Sequence, residues 1–466
     1  MIDVKLRMTG DQLKAIKAHL FPGDGREAVA VALCGRHNGH AEHYLLVRTI
    51  VLIPYDQCRV REKDRVTWST DSIEPLLKEV AKRNMAILKV HSHPGGYDCF
   101  SALDDISDRD LFSSVYGWTD SDFPHASAVM LPGGRMFGRA ILPTGAFVPL
   151  SAISIAGDDL IFWFSKCVTS DLPEFTRRHT QLFGTETTRR LQRLSIAVVG
   201  CSGTGSPMIE QLTRLGVGKL ILVDPDRVEE KNLNRILNAT KKDADSQVLK
   251  VEVMARSIEQ MGLGTNVILI PENLSSPRAV KAVAECDVVF GCMDGVEGRH
   301  LLNRLAAFYL LPYFDVGVGL EGDNSGGITE VCGAIHYLQP DRSSLLSRNV
   351  YTLKDVEAAS LKRTNPDIYK EHLKLNYIKG VREDRPAVIS VNMQIASMAV
   401  NEFLARLHPY RHDDNRDSAI VRVSLIHPGV YREREGPACP VISRHAGRGD
   451  IRPLLDMPEL SEPVEA

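Results

Sequence analysis

The sequence predicts an α/β protein in two parts, an N-terminal α+β domain followed by a domain of alternating strands and helices. Three observations predict it. The 466 residues are too many for one ordinary domain and suit two or three. Up to about Pro149 the apolar runs are short and strand-like, with one amphipathic helical stretch among them. From Leu194 the pattern changes to strand, glycine-rich turn, helix and strand, which opens a βαβ unit.

In the first part (1–149), residues 10–20 read as a short amphipathic helix and Ala28–Cys34 as a fully apolar strand. Tyr44–Ile53 and Ala86–Val90 are further strands, and Pro132-Gly133-Gly134 is a turn joining Ala128–Leu131 to Met136–Leu142. Residues 150–176 form a connector, within which Leu160–Phe164 is apolar enough to pack on something. The second part (177–430) holds a buried strand at Ile196–Val199, a helix to Gly216 and a strand at Lys219–Val223. A helix over Ser246–Met261, strands at Val267–Pro271 and Val288–Gly291, and a helix over Glu297–Leu310 continue the alternation. Residues 341–386 are polar, without a sustained apolar period, and read as a long excursion over the surface. Ala387–Ala405 returns as a buried helix and Ala419–Ile426 as a strand; 431–466, with several Pro and Gly, reads as a thin tail.

Composition excludes several classes. Hydrophobic residues make up 44% and charged residues 25%, the profile of a soluble globular chain. A net charge of -3 gives no basic field for nucleic acid. No apolar run approaches the roughly 18 residues that span a bilayer, so no membrane partner is expected. The charged N-terminal stretch lacks a signal-peptide core. Nine cysteines, odd in number and unevenly scattered, do not form a disulfide framework, and a cytoplasmic location is the simplest expectation.

His91-Ser92-His93 lies at the end of the strand Ala86–Val90. Side chains two apart on a strand share a face, so both imidazoles can reach one ion. The turn at Pro94-Gly95-Gly96 can return a carboxylate, Asp104, to the same point. Two His, one Asp and an open position make a catalytic zinc site rather than a closed structural one. Such a site needs a base, and Glu27, at the start of the strand Ala28–Cys34, is the candidate. Ser101 is placed to donate to a developing oxyanion.

In the second part, Gly200, Gly203 and Gly205 stand in the run Gly200-Cys201-Ser202-Gly203-Thr204-Gly205, between a strand and a helix whose N-terminus favours phosphate. By itself this loop suits dinucleotide dehydrogenases nearly as well. Strand Lys219–Val223 then ends in Asp224-Pro225-Asp226, and Asn232-Leu233-Asn234-Arg235 and Lys250 follow. Cations placed there serve an enzyme that breaks a phosphoanhydride, where charge builds on departing pyrophosphate. The stretch Cys286–Asp294 reads as a strand ending in an acid, and Asp294 is well placed to hold magnesium.

The spacing His-Ser-His, seven residues, Ser, two residues, Asp resembles the JAMM signature of the MPN/JAB metallopeptidases, over roughly the first 145 residues. The resemblance implies a cytidine-deaminase-like α+β fold and cleavage of peptide or isopeptide bonds after the C-terminal tail of ubiquitin-like proteins. His91, His93 and Asp104 would be zinc ligands, Glu27 the acid/base and Ser101 the oxyanion helper. From about Arg178 to Leu407 the ordered series resembles the ThiF/MoeB and ubiquitin-activating superfamily, whose domain is Rossmann-like. That resemblance implies ATP and Mg²⁺, with adenylation of the C-terminal glycine of a ubiquitin-like protein. Asp224 would hold ribose, Asp226 and Asp294 magnesium or its waters, and Asn232, Arg235 and Lys250 the phosphates. Arg178 would reach the nucleotide across a homodimer.

The sequence departs from that family at Ser202, where a glycine is usual, and in lacking paired Cys-x-x-Cys motifs, so no structural zinc is expected in the second part. For a thioester the only cysteines are Cys332, in the apparent strand Ile328–His336, and Cys439. The joint arrangement resembles bacterial ubiquitin-like operon proteins, with a separate conjugating enzyme implied if conjugation follows. Two other readings stand beside it: trimming and adenylation of a ThiS- or MoaD-like sulfur carrier, and a non-catalytic scaffold that binds ubiquitin-like folds.

Overall fold

The computed structural model describes residues 3–40, 42–166, 171–323, 325–374 and 386–461. The chain forms two compact units. One is Met1–Thr169 with Phe308–Leu310 and Ala446–Leu455; the other is Ser170–Ala307, Leu311–His445 and Asp456–Ala466.

In the first unit the elements run β1 (Asp3–Thr9), α1 (Gly10–Leu20), β2 (Val29–Asn38), β3 (Glu42–Leu52), β4 (Cys58–Arg61), β5 (Val66–Trp68), α2 (Glu74–Arg83) and β6 (Ala86–Ser92). They continue with α3 (Ala102–Thr119), β7 (His125–Met130), β8 (Met136–Ile141), β9 (Phe147–Pro149), β10 (Ala152–Ala156) and β11 (Leu160–Phe164). Nine strands make one mixed sheet in the order β11-β10-β1-β3-β2-β6-β7-β8-β9. The apolar run of β2 follows from burial on both faces. Ala32 and Cys34 join one apolar cluster with Leu6, Leu88 and Ala128. Val29, Val31 and Leu33 join the opposite one with Ile87, Phe112 and Val115. The same alternation turns Leu88 and Val90 to one side of β6 and Ile87 to the other, which is also the side of Lys89 and His91.

Residues 150–176 are not a connector throughout. β10 pairs with β1 and β11 pairs with β10, so this stretch completes the edge of the first sheet. The apolarity of Leu160–Phe164 reflects that edge.

The second unit runs α4 (Arg177–Arg193), β12 (Ser195–Val199), α5 (Gly205–Arg214), β13 (Lys219–Val223), α6 (Lys241–Asp245), α7 (Lys250–Met261), β14 (Asn266–Ile270), α8 (Pro277–Ala284), β15 (Val288–Gly291) and α9 (Val296–Tyr309). There follow β16 (Tyr313–Gly322), β17 (Ile328–Leu338), α10 (Leu353–Thr364), α11 (Pro366–Lys374), α12 (Ile389–Leu407), β18 (Ile420–Ser424) and β19 (Gly429–Glu433). The sheet order is β14-β13-β12-β15-β16-β17-β18-β19. The first five strands are parallel and the last four pair antiparallel. The order reverses at β12, leaving a crevice at the carboxyl ends of β12 and β15, where α/β sheets bind ligands.

Three expectations are corrected here. The helix expected over Ser246–Met261 begins only at Lys250, because Thr240 caps a separate short helix that ends at Asp245. The polar stretch 341–386 is not irregular throughout: Thr352, bonded through its hydroxyl to Asp355, caps α10, and α11 follows. Residues 375–385 of that stretch lie outside the described residues. The last residues are not a thin tail. Cys439 and Ile442 are buried with Ala307, and Leu454, Leu455 and Leu460 are buried as well. Short 3-10 turns carry them, so no helical or strand period marks them in the sequence. Among the described residues no helix is long and apolar enough to cross a membrane.

Candidate functional site

The first constellation closes as the spacing predicts. His91 Nε2 lies 2.9 Å from Asp104 Oδ1, and His93 Nε2 lies 3.5 Å from Asp104 Oδ2. The two imidazole Nε2 atoms are 3.1 Å apart. One ligand atom from each of the three residues falls within 4.8 Å of the others. His93 Nδ1 faces the carbonyl of Tyr97 at 2.7 Å, so its proton sits on Nδ1 and the Nε2 lone pair points into the cluster. A convergent imidazole lone pair, a second imidazole and a carboxylate fit zinc.

Asp104 arrives on a helix that the sequence reading missed. Ser101 is the N-cap of α3: its Oγ accepts from Asp104 N (3.1 Å) and donates to Asp104 Oδ2 (2.8 Å). The hydroxyl expected at an oxyanion is thus engaged in capping. The S-x-x-D pattern that carries the signature is also a capping box. Burial alone would raise the Asp104 pKa, but the two imidazoles hold it well below the usual carboxylate range.

Glu27 sits two residues outside the β2–β6 ladder. Val29 stands opposite His91, Ala28 O accepts from Ser92 N (3.1 Å), and Ala28 N donates to Ser92 Oγ (3.0 Å). The middle residue of His-Ser-His therefore fixes the strand that carries Glu27, a role not foreseen from sequence. Glu27 is 6% exposed, and burial pushes its pKa up to about 7, against the pull of His93.

Beneath the cluster lies a buried ionic network that the sequence reading also missed. Lys89, two residues before His91, donates to Asp108 Oδ1 at 2.6 Å. Arg139 on β8 donates to Asp108 Oδ2 from Nη2 (2.7 Å) and Nε (3.1 Å). Its guanidinium also lies over the rings of Phe100 and Phe147. Residues 89 and 91 share a strand face, and 104 and 108 share a helix face, so one register joins both pairs. All of Lys89, Asp108 and Arg139 are buried. Asp108→Ala leaves Lys89 without a carboxylate and Arg139 with Asp105 alone, and we expect a loss of about 3–5 kcal/mol in denaturant unfolding. A loss under about 1 kcal/mol, the range of an exposed pair, would contradict this account.

In the second unit, Gly200 follows β12 with φ +96°, and a Cβ there would meet the carbonyl of Cys292. Gly203 lies in the loop and Gly205 opens α5. Asp224 follows directly on β13, with Oδ2 accepting from Cys201 N (2.7 Å) and Oδ1 from Asp226 N (2.9 Å). Lys250 Nζ lies 2.7 Å from Asp226 Oδ2 and 4.0 Å from Asp224 Oδ1. Burial raises the Asp224 pKa, opposed by Lys250. Asn232 is buried and its Oδ1 accepts from Glu229 N, which shapes the turn carrying Arg235. Arg235 is half-buried and donates to Lys231 O at 2.9 Å. Its Cδ would lie 3.2 Å from a Cβ built on Gly203.

Asp294 is exposed, three residues beyond the end of β15, which is shorter than the strand expected over Cys286–Asp294. Arg178 is exposed on α4. Cys332 lies within β17, with Sγ 3.0 Å from Glu330 Oε1. Burial, then that carboxylate, pushes its thiol up to about 11, which disfavours the thiolate that a thioester step needs. Cys439 is buried.

A parallel sheet with a glycine loop after one strand and an acid closing the next defines a nucleotide-binding α/β domain. The chain belongs to the ThiF family, whose profile matches residues 176–435. Residues 10–131 match prokaryotic homologs of the JAB domain. Adenylyltransferase and sulfurtransferase UBA4 of Meyerozyma guilliermondii is 33% identical over 141 residues, 30% of this chain and 32% of that one. Sulfur carrier protein adenylyltransferase of Thermus thermophilus is 32% identical over 143 residues, 30% and 52% of the two chains. Ubiquitin-like modifier-activating enzyme 5 of Culex quinquefasciatus is 27% identical over 188 residues, 37% and 45%. The chain thus spans between 32% and 52% of the length of these relatives.

Proposed function

We propose that the chain acts twice on one small ubiquitin-like protein. It adenylates that protein's C-terminal glycine at the expense of ATP, and it cuts peptide or isopeptide bonds after the C-terminal tail in a zinc-dependent reaction. The observation that carries the reading is the meeting of Asp224, Asp226 and Lys250 around the glycine loop of a ThiF-family domain, in a chain that also brings His91, His93 and Asp104 together.

In the adenylation step a carboxylate oxygen of the terminal glycine attacks the α-phosphorus of ATP. The bond from that phosphorus to the oxygen bridging to the β-phosphate breaks, and pyrophosphate leaves with the bonding pair. Backbone N–H groups of Gly200–Gly205 and the start of α5 hold the phosphates, and Asp224 holds the ribose. Lys250 gives up Asp226 to meet the phosphates; with Asn232 and Arg235 it stabilises the charge on pyrophosphate. Asp226 and Asp294 would hold magnesium, which supplies further neutralisation of phosphate charge when bound. Arg178 reaches the nucleotide of a second copy, so the working form is a homodimer. The Cys332 thiol is not the acyl acceptor in this scheme, and a separate conjugating enzyme takes the activated tail.

In the cleavage step His91, His93 and Asp104 would hold zinc, which when bound supplies a polarised carbonyl and an acidified water. Glu27 takes a proton from the attacking water and passes it to the leaving amine. Ser101 holds Asp104, and its hydroxyl serves an oxyanion only on leaving Asp104 Oδ2.

A second reading is favoured by the names of two relatives, which are a sulfurtransferase and a sulfur carrier adenylyltransferase. There the adenylated protein is a sulfur carrier, and the product is a thiocarboxylate rather than an amide. Intact-mass analysis decides, using ubiquitin-like proteins with short C-terminal extensions incubated with zinc, magnesium and ATP. Loss of the extension together with AMP formation supports both activities. Cleavage without AMP formation removes the adenylation reading, and a thiocarboxylate product replaces conjugation with sulfur transfer.

A further inference from the structure

Helix α12 begins beside the glycine loop, and its first turn carries an asparagine that no part of the scheme uses. Asn392 is 5% exposed. A Cβ built on Gly203 would lie only 2.1 Å from Asn392 Nδ2, so the carboxamide rests directly on the loop backbone. A side chain at position 203 would displace that amide. The Asn392 backbone N–H is spent within its helix, on Val388 O. Its carboxamide has no hydrogen-bond partner among the described residues. An amide that no protein group engages can donate to a ligand.

The surroundings name the ligand. The same Gly203 position faces Arg235 Cδ, so Asn392 and Arg235 converge on one point of the loop. Asn234 Nδ2 donates to Ala387 O at 3.4 Å, which ties the Arg235 segment to the residues just before α12. The N-terminal ends of α5 and of α12 both lie by this loop, each with unsatisfied N–H groups and a partial positive charge. An amide that donates, an arginine and two helix N-termini suit an anion rather than a base or a sugar.

Resting on the adenylation reading, we propose that Asn392 is a binding residue for the nucleotide's phosphates, donating from Nδ2 to a phosphate oxygen held by the glycine loop. It thereby distinguishes phosphorylated nucleotides from the bare nucleoside. Gly203 and Asn392 act as a pair: the missing side chain of one makes room for the amide of the other.

The test is equilibrium binding of Mg–ATP and of adenosine to the full chain and to its Asn392→Asp variant, which keeps shape and removes both amide protons. We expect ATP affinity to fall at least about tenfold, as for loss of a hydrogen bond to a charged group, with adenosine affinity unchanged. Equal ATP affinity in the two proteins overturns the proposal, and so does an equal fall for adenosine, which marks a structural effect. Asn392→Ser, which keeps a donor on a shorter arm, is the second variant should the aspartate lower the melting temperature; unchanged ATP affinity there also overturns the proposal. If the unmodified chain binds neither ligand, the adenylation reading itself fails, and the proposal falls with it.

Discussion

Glu27→Gln is expected to lower the rate of tail cleavage by about 100- to 10,000-fold, the span of general acid–base catalysis, while zinc content stays at that of the unmodified chain. The expectation rests on placement. Glu27 is buried beside His93, and the Ala28–Ser92 hydrogen bonds lock its backbone to the strand that presents both imidazoles. Glutamine keeps the volume and one carbonyl oxygen, so packing against Ala28 survives and the proton-transfer function alone is removed. Because the residue is not among the three convergent ligands, metal analysis of the purified variant separates its role from theirs. His91→Ala provides the contrast, with cleavage and zinc lost together. Full cleavage by Glu27→Gln would transfer the base to another group, and zinc lost with activity would make Glu27 a ligand.

For Lys250→Ala, pyrophosphate–ATP exchange is expected to fall about 100- to 1,000-fold, in line with removal of one group that stabilises developing charge. The structure adds a reason for an effect on binding too. Lys250 is 6% exposed and stands between Asp224 and Asp226, offsetting two carboxylates at the mouth of a site meant for an anion. Without the ammonium those carboxylates repel the phosphates, so KM for ATP should rise as kcat falls. Lys250→Arg keeps charge but not the compact point geometry, and partial recovery is expected. Exchange at the unmodified rate in Lys250→Ala would remove the lysine from the reaction.

Much of this was legible because the chemistry is spaced by regular backbone periods. His91 and His93 share a strand face, and the turn at Pro94-Gly95-Gly96 brings Asp104 back to them, as the sequence spacing requires. The glycine loop lies at a strand-to-helix junction, and Asp224 follows directly on the next strand. What escaped reading lacks such a period. The helix α3 is only weakly amphipathic, with acidic residues facing both inward and outward, so nothing in the sequence singled out Asp108. Lys89 interrupts an apolar strand and reads as an exposed lysine, yet it is buried because Asp108 and Arg139 meet it from two other elements. Asn392 lies in a helix that was foreseen, but its partner Gly203 is 189 positions earlier, a separation that no local pattern bridges. Ser101 was legible as a residue and not as a role, since one S-x-x-D spacing serves both a helix cap and a metalloprotease signature.

The pairing of Arg36 with Gly449 and Asp450 has a consequence for how this chain can be divided. The Asp450 N–H donates to Arg36 O at 2.7 Å, and its carboxylate binds His37 Nδ1 and Asn38 N. Gly35 leaves space that the carbonyl of Gly447 fills, and a Cβ there would come within 2.2 Å of it. These contacts lie within one compact unit, although they join residues more than four hundred positions apart. The boundaries of the domain in sequence and in space therefore do not coincide. A fragment ending at Pro149 would lack β10 and β11 and would strip the backbone around Gly35 of its cover. Gene fission at that point, or transplantation of the first half into another protein, would not yield a self-contained module.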